Sequence, residues 1–327
     1  MPEVLTTTPG LYPLPDPAKE ELADLKGHQK GDLITGHEDA DVVAAYDRAR
    51  EEVIDRQESA GLDRTVEGQL RWDDMLAHPL VVQGNVETRG IVRYYDNNNF
   101  YREPAVTGEL SATGDVAEEL ERADVPAGRL QAVLPGPYTL SELATDEHYG
   151  DRFLTAVADL LAAEVERFPD HTTLWLMEPS LVTDPPVDGT AERASEAVDT
   201  VAGASDADVV AHTYFGALDE AVHAHLLDAG VDAVGYDLAT AHEESLYLIN
   251  EYGTADDVAL GVVDGRNTAL ETTVEIRERI EWAIDRAVGA DFDRVYATPN
   301  AELFYLPVER FGAKLDALAA VDREVPA

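Results

Sequence analysis

Apolar runs of strand length alternate with amphipathic stretches from one end of the 327-residue chain to the other. The strand candidates are "VLTTT", "IVRYY", "LQAVLPG", "LWLMEP", "DVVAHTYF", "DAVGYDL", "DVALGVVDG" and "DRVYATPN". Several are β-branched runs without strict alternation, the pattern of strands buried on both faces of a parallel sheet. The stretches between the later runs have helical spacing. In "DRFLTAVADLLAAEVERF", Phe153, Val157, Leu160, Leu161, Val165 and Phe168 share one face, and Pro169 ends the run. "TAERASEAVDTVAG", "ALDEAVHAHLLDAG" with Gly230, "HEESLYLINEYG" with Gly253 and "TTVEIRERIEWAIDRAVG" with Gly289 read likewise, glycine being a common helix stop. Eight strand candidates with interleaved helices predict an α/β chain folded as a (β/α)8 TIM barrel, one domain over residues 1–327. An open doubly wound sheet comes second, because no G-x-G-x-x-G follows the first strand. Residues 25–110, rich in charge and containing "YYDNNNFYREP", predict an irregular N-terminal insertion near the barrel mouth.

Charge changes the picture more than hydrophobicity does. The 66 acidic and 24 basic residues leave a net charge of −42, and the only lysines are Lys19, Lys26, Lys30 and Lys314. The acids are spread along the chain, so the negative field belongs to the whole surface. Such a field repels phosphate backbones and anionic bilayers, which excludes nucleic acid and membranes as expected partners. Self-repulsion of this size is relieved by salt, since the Debye length falls to ~3 Å at 1 M. An acidic, lysine-poor composition predicts a halophilic protein of a high-salt cytoplasm. No apolar run reaches the ~20 residues of a transmembrane helix, and "MPEVLTTTPG" lacks the basic and apolar parts of a signal segment. The absence of cysteine removes disulfides, thiol nucleophiles and thiolate metal ligands.

In a barrel of this kind, function sits where strands end and βα loops begin. Reading those positions gives Gly10 and Tyr12 after the first strand, then Glu178, His212 with Tyr214, Asp237, and Asp264 with Arg266 and Asn267. Polar groups at several strand ends predict a pocket for a polar small molecule. Each has a plainer reading. Glu178 is a candidate general base or amine binder, or the buried ion-pair partner of Arg266. His212 is a ligand or proton donor, or a satisfied core histidine. Trp72, Tyr94, Tyr95, Phe100 and Tyr101 either stack on a flat ligand or pack the insertion. His223 and His225 lie two apart on a helix, on different faces, and no H-E-x-x-H occurs.

At these strand ends the chain resembles the cobalamin-independent methionine synthase family. "LTTTPGLYP", "GQLRWDDM", "YYDNNNFYREP", "LPGPYTL", "LWLMEPSL", "HTYFG", "VVDGRN" and "LFYLP" follow that family's motif order through nearly the whole chain. The resemblance implies methyl transfer to homocysteine, with methyltetrahydrofolate or a corrinoid such as methylcobalamin as donor. It also implies zinc, held in the family's catalytic barrel by histidine, cysteine, glutamate and a second cysteine. Those positions fall here on His212, Tyr214, Asp237 and Ala301. Gln69 stands where the family holds the amino acid with a glutamate, Met177 replaces an aspartate, and Arg266 replaces a histidine proposed as proton donor. A methionine cannot pair with an ammonium group, and an always-charged arginine is a poor acid.

These departures resemble the zinc-free N-terminal barrel of the family's two-barrel members. They imply a chain that binds no zinc or other cofactor itself and works beside a separate zinc-bearing paralogue. A stand-alone small-molecule binding or regulatory protein on the same barrel is the alternative, and an independent enzyme using Glu178, Asp264 and Arg266 is a third.

Overall fold

A computed structural model describes residues 2–23, 38–72, 74–95, 97–187 and 189–321. Lys26, Lys30 and the first part of the 25–110 segment lie outside the described residues. Seven strands form one parallel sheet: β1 (Glu3–Thr6), β4 (Gln131–Pro135), β6 (Thr173–Met177), β7 (Asp208–His212), β8 (Ala233–Tyr236), β9 (Asp257–Val263) and β10 (Arg294–Pro299). Their order is β1-β10-β9-β8-β7-β6-β4. Every residue of β4, β6, β8 and β9 is buried, as their unbroken apolar runs require.

The sheet is strongly curled. Trp175 of β6 and Tyr296 of β10 have ring centroids 6.1 Å apart, although three strands separate them in the sheet order. The two edges, β1 and β4, are joined by residues 63–65 rather than by a strand. Thr6 O accepts the Asp63 and Arg64 amides at 3.0 and 3.2 Å, and Thr65 N donates to Arg129 O at 2.8 Å. Thr65 and Leu130 form a parallel bridge.

One strand candidate belongs elsewhere. "IVRYY" falls at the end of β2 (Val86–Arg93), which pairs antiparallel with β3 (Phe100–Val106) in a separate sheet of order β2-β3-β5. Its last member, β5, is Thr145–Asp146. The segment expected to be irregular also contains the helix Ala40–Ala60. Its charged residues obscure a buried face of Ala45, Ala49, Val53, Ile54 and Ala60, and Gly61 closes it at φ 90° with its amide on Gln57 O. The later helices lie close to expectation, at Phe153–Val165, Ala191–Ala202, His242–Tyr252 and Thr273–Arg286. The helix expected to stop at Gly230 ends earlier, spanning Glu220–Leu226.

The N-terminal ends of the strands are tied by charge. Arg294, the first residue of β10, pairs with Asp208 of β7 and, at 2.6 Å, with Asp257 of β9. The C-terminal ends carry the groups read from the sequence.

Candidate functional site

His212 is the last residue of β7 and is fully buried between Trp175 and Tyr214, with ring centroids 5.1 and 5.4 Å away. Its Nε2 lies 3.0 Å from Asn300 O, a carbonyl that only accepts, so Nε2 carries the proton. Nδ1 then holds a bare lone pair and has no hydrogen-bond partner. It faces the neighbouring strand, where a Cβ added to Gly235 would sit 2.3 Å away. Burial lowers the imidazole pKa to about 4, so His212 is neutral at neutral pH.

Asp237, beyond the end of β8, is also fully buried, and both its oxygens are engaged. Oδ1 accepts from Asn300 Nδ2 and Thr240 N at 2.9 and 3.0 Å, and Oδ2 accepts from Thr240 Oγ1 at 2.5 Å. Asn300 therefore links His212, Asp237 and the Gly265 amide, which donates to its Oδ1 at 2.9 Å. The sequence reading did not single out Asn300.

Glu178 does not pair with Arg266. Its Oε1 and Oε2 accept the Tyr138 and Thr139 amides at 3.0 and 2.7 Å, at the start of the helix Pro137–Glu142. A side chain at Gly136 would overlap this carboxylate. Burial raises the Glu178 pKa to about 7 against those hydrogen bonds.

Around the first strand the predicted residues hold one another. Gln69 Oε1 accepts the Leu11 amide at 2.8 Å and lies where a Cβ on Gly10 would be. Tyr12 donates to Gln57 Oε1 at 2.9 Å and contacts the Thr8 hydroxyl at 2.5 Å. Trp72 is buried with one face stacked on His78 at 5.3 Å, and His78 Nε2 is 2.6 Å from Asp115. That ring face is occupied by the protein itself.

After β9, Asp264 Oδ1 accepts the Arg266 and Asn267 amides at 2.9 and 3.2 Å, forming a self-capped turn. Asn267 is exposed, and Arg266 reaches over the Phe215 ring with its Cζ 4.6 Å from the centroid.

The largest omission is Glu302, which lies between the quoted runs "DRVYATPN" and "LFYLP". It is fully buried, and its Oε1 accepts both the Tyr94 hydroxyl and, at 2.7 Å, the Tyr214 hydroxyl. Oε2 has no partner. Burial raises its pKa, opposed by the two tyrosines and by Arg266. Tyr94, Tyr95, Phe215, Phe304 and Tyr305 form a connected set of ring contacts at this place. A glutamate three residues beyond a strand, close to aromatics, gives no sequence pattern to separate it from a packed loop.

The four positions implied for zinc do not form a zinc donor set. Structural and catalytic zinc takes three or four imidazole, thiolate or carboxylate ligands at about 2.0–2.3 Å. Here the His212 lone pair faces a strand, Tyr214 donates to Glu302, both Asp237 oxygens are engaged by Asn300 and Thr240, and Ala301 has no donor atom. Among the described residues, no group of three or more histidine, aspartate and glutamate side chains is placed to hold a metal ion. No helix among them is long and apolar enough to cross a membrane.

Comparison with known proteins agrees with the motif order. A family model described as "Cobalamin-independent synthase, Catalytic domain" matches residues 4–323. The chain is 31% identical to the 5-methyltetrahydropteroyltriglutamate–homocysteine methyltransferase of Salinibacter ruber over 240 residues, which are 69% of this chain and 30% of that protein. The chain therefore spans under a third of that relative's length. It is 24% identical to a methionine synthase of Sulfurisphaera tokodaii over 314 residues, 94% of this chain and 88% of that one. A B12-independent methionine synthase from Shewanella sp. W3-18-1, solved with selenomethionine, superposes with a TM-score of 0.76 at 19% identity, over 98% of this chain and 96% of that one. That likeness bears on the fold alone. The match over nearly the whole chain means that the protein belongs to the cobalamin-independent methionine synthase family.

Proposed function

We propose that this chain is a zinc-free component of homocysteine methylation, working beside a separate zinc-bearing paralogue. The observation that carries the reading is the fate of the four zinc positions. Tyr214 and Asp237 are spent on hydrogen bonds within the protein, the free lone pair of His212 faces the neighbouring strand and Ala301 has no donor, while the chain keeps the family's match over nearly its whole length. Zinc serves this chemistry by keeping a thiol as thiolate, and an unassisted thiol of pKa ~8.5 is mostly protonated at neutral pH. A barrel without the donor set would depend on a partner for that step.

On this reading residues 63–65 stand in the eighth strand position of a (β/α)8 barrel, and the mouth is the surface offered to substrate or partner. Gly10, Tyr12, Gln69, Trp72 and Glu178 shape its floor and rim, and Arg266 and Asn267 are the exposed groups available for contact. The methyl donor would be methyltetrahydrofolate or methylcobalamin. The acidic surface suits a salt-rich cytoplasm and disfavours nucleic acid.

The test is homocysteine methylation by this chain alone, by a zinc-bearing paralogue alone and by both, with each donor offered separately. The chain alone should be inactive and should raise the paralogue's activity. Full activity alone would overturn the reading; no stimulation and no binding would favour a stand-alone binding protein.

A further inference from the structure

We propose that the tip of the β2–β3 hairpin is a lid, which closes the barrel mouth and swings aside to admit a polar small molecule. The tip crosses the opening. Tyr95 has its hydroxyl 3.0 Å from Ser180 Oγ, after β6, and its ring 5.2 Å from that of Phe215, after β7. On the far side, Tyr94 donates to Glu302 and Asn97 Nδ2 donates to the Tyr305 hydroxyl at 3.3 Å, both after β10. In the sheet order β10 and β7 stand three strands apart, so one short turn ties opposite sides of the curled sheet.

What lies beneath the tip is shut. Thr139, Glu178, His212, Asp237 and Glu302 are fully buried, and Ser180 is 2% exposed. A small molecule reaches these strand ends only if something above them moves. A lid matters here only if the mouth receives such a molecule, and so rests on the reading proposed above.

The way the hairpin is attached shows which part moves. At its root Pro104, Ala105 and Val106 are buried, and the last two pair with β5. Arg102 grips Asp74 through its amide and guanidinium, at 3.1, 3.1 and 2.6 Å. Beyond Arg102 the ties to the barrel change in kind. They are side-chain hydrogen bonds, which water can replace at small net cost, and contacts between rings. The other arm, β2, is exposed from Glu87 to Arg93, which leaves it room to move.

A hinge lies between the fixed root and the tip. Thr88 faces Pro104 and Ile91 faces Arg102, so Arg89 and Gly90 together stand against Glu103 in a bulge. A side chain at Gly90 would meet nothing within 4 Å. A bulge holding a glycine bends more readily than a regular ladder. Tyr95 has a left-handed backbone, at φ 51°, which is unfavourable for a residue with a side chain. Contacts hold the tip closed against that local preference, and the burial of Tyr94 makes the closed state the populated one.

The chain has no cysteine, so a single introduced thiol reports on its own surroundings. Ser180→Cys places one beneath Tyr95, and Ser245→Cys places one, fully buried, on the helix His242–Tyr252. Each variant would be treated with an aromatic disulfide reagent in molar potassium chloride and rising, sub-denaturing urea. Ser180→Cys should react about a hundredfold faster or more, at a rate nearly independent of urea, because opening the tip exposes little surface. Ser245→Cys should react only through larger openings, which urea promotes steeply. Adding Tyr94→Phe, which keeps the ring and drops the bond to Glu302, should speed the first thiol severalfold and leave the second unchanged. If Ser180→Cys folds poorly, amide exchange of the unmodified chain reads the same opening. The Tyr138 and Thr139 amides, bonded to Glu178, should then exchange independently of urea and those of β9 should not. Equal thiol rates with the same urea dependence, or a first thiol indifferent to Tyr94→Phe, would overturn the lid. Neither readout involves methyl transfer, so the lid can fail while the partner assay succeeds, and the reverse.

Discussion

Lys314 is the one described lysine that is buried, and removing its charge should be among the most damaging single changes in the chain. Its side chain is 1% exposed, and its Nζ lies 2.6 Å from Glu271 Oε2 on a side chain 9% exposed. The other oxygen of Glu271 accepts the Asp264 amide at 2.9 Å, so the pair also anchors the turn that carries Arg266. Lys314→Met keeps most of the apolar stem and deletes the ammonium, leaving a carboxylate buried with one backbone donor. Breaking a buried pair in this way costs about 3–5 kcal/mol, whereas exposed pairs are worth about 0.2–1 kcal/mol. Adding Glu271→Gln removes the stranded charge and keeps an acceptor for Asp264, so the double variant should recover most of the loss. Urea unfolding, followed by fluorescence and circular dichroism at two potassium chloride concentrations, reads the difference from the midpoints and slopes. Because buried pairs are screened little, the loss should be similar at both salts. A loss below about 1 kcal/mol, or one abolished by salt, would show that the pair behaves as an exposed one and refute the reasoning.

Three other outcomes follow from the same structure. Melting temperature should rise steeply from low salt to molar potassium chloride, because −42 charges repel across the whole surface; a flat profile would contradict this. Gly235→Ala should destabilise by about 3 kcal/mol or more in urea unfolding, since the new Cβ would fall 2.3 Å from His212 Nδ1 and 2.8 Å from its Cα, pushing β7 and β8 apart. Glu178 has a folded pKa raised by burial to about 7, above its unfolded value, so its contribution is complete below pH 4.5 and is lost as pH rises through 7. The stability difference between wild type and Glu178→Gln should accordingly shrink by roughly 3 kcal/mol from pH 4.5 to pH 8, and a difference independent of pH would show that the carboxyl titrates normally.

The sheet was legible because seven of its strands are apolar runs that a buried parallel strand cannot avoid. The eighth candidate misled for a physical reason. "IVRYY" is β-branched and aromatic like the others, but such a run pairs as well in a hairpin as in the main sheet, and periodicity does not name the partner. The place between β1 and β4 went to residues 63–65, too short and polar to show a strand pattern. At the site, strand-end position found His212, Asp237 and Glu178, but the partners of His212 and Glu178 are backbone groups. Asn300 O and the Tyr138 and Thr139 amides have no side-chain signature to read. Glu302 was missed because a buried carboxylate is defined by what surrounds it, and Tyr94, 208 residues away, supplies part of that surrounding.

Whether this member of a methyl-transfer family holds the metal itself decides the role proposed for it. The direct measurement is the zinc content of the protein purified without chelator, by elemental analysis, beside a cysteine-bearing paralogue prepared in the same way. We expect far less than one zinc per chain here and one per chain in the paralogue. One tightly held zinc per chain in this protein would contradict the account, since it would require the His212 ring to turn its free lone pair away from the neighbouring strand and Asp237 to give up hydrogen bonds that now engage it.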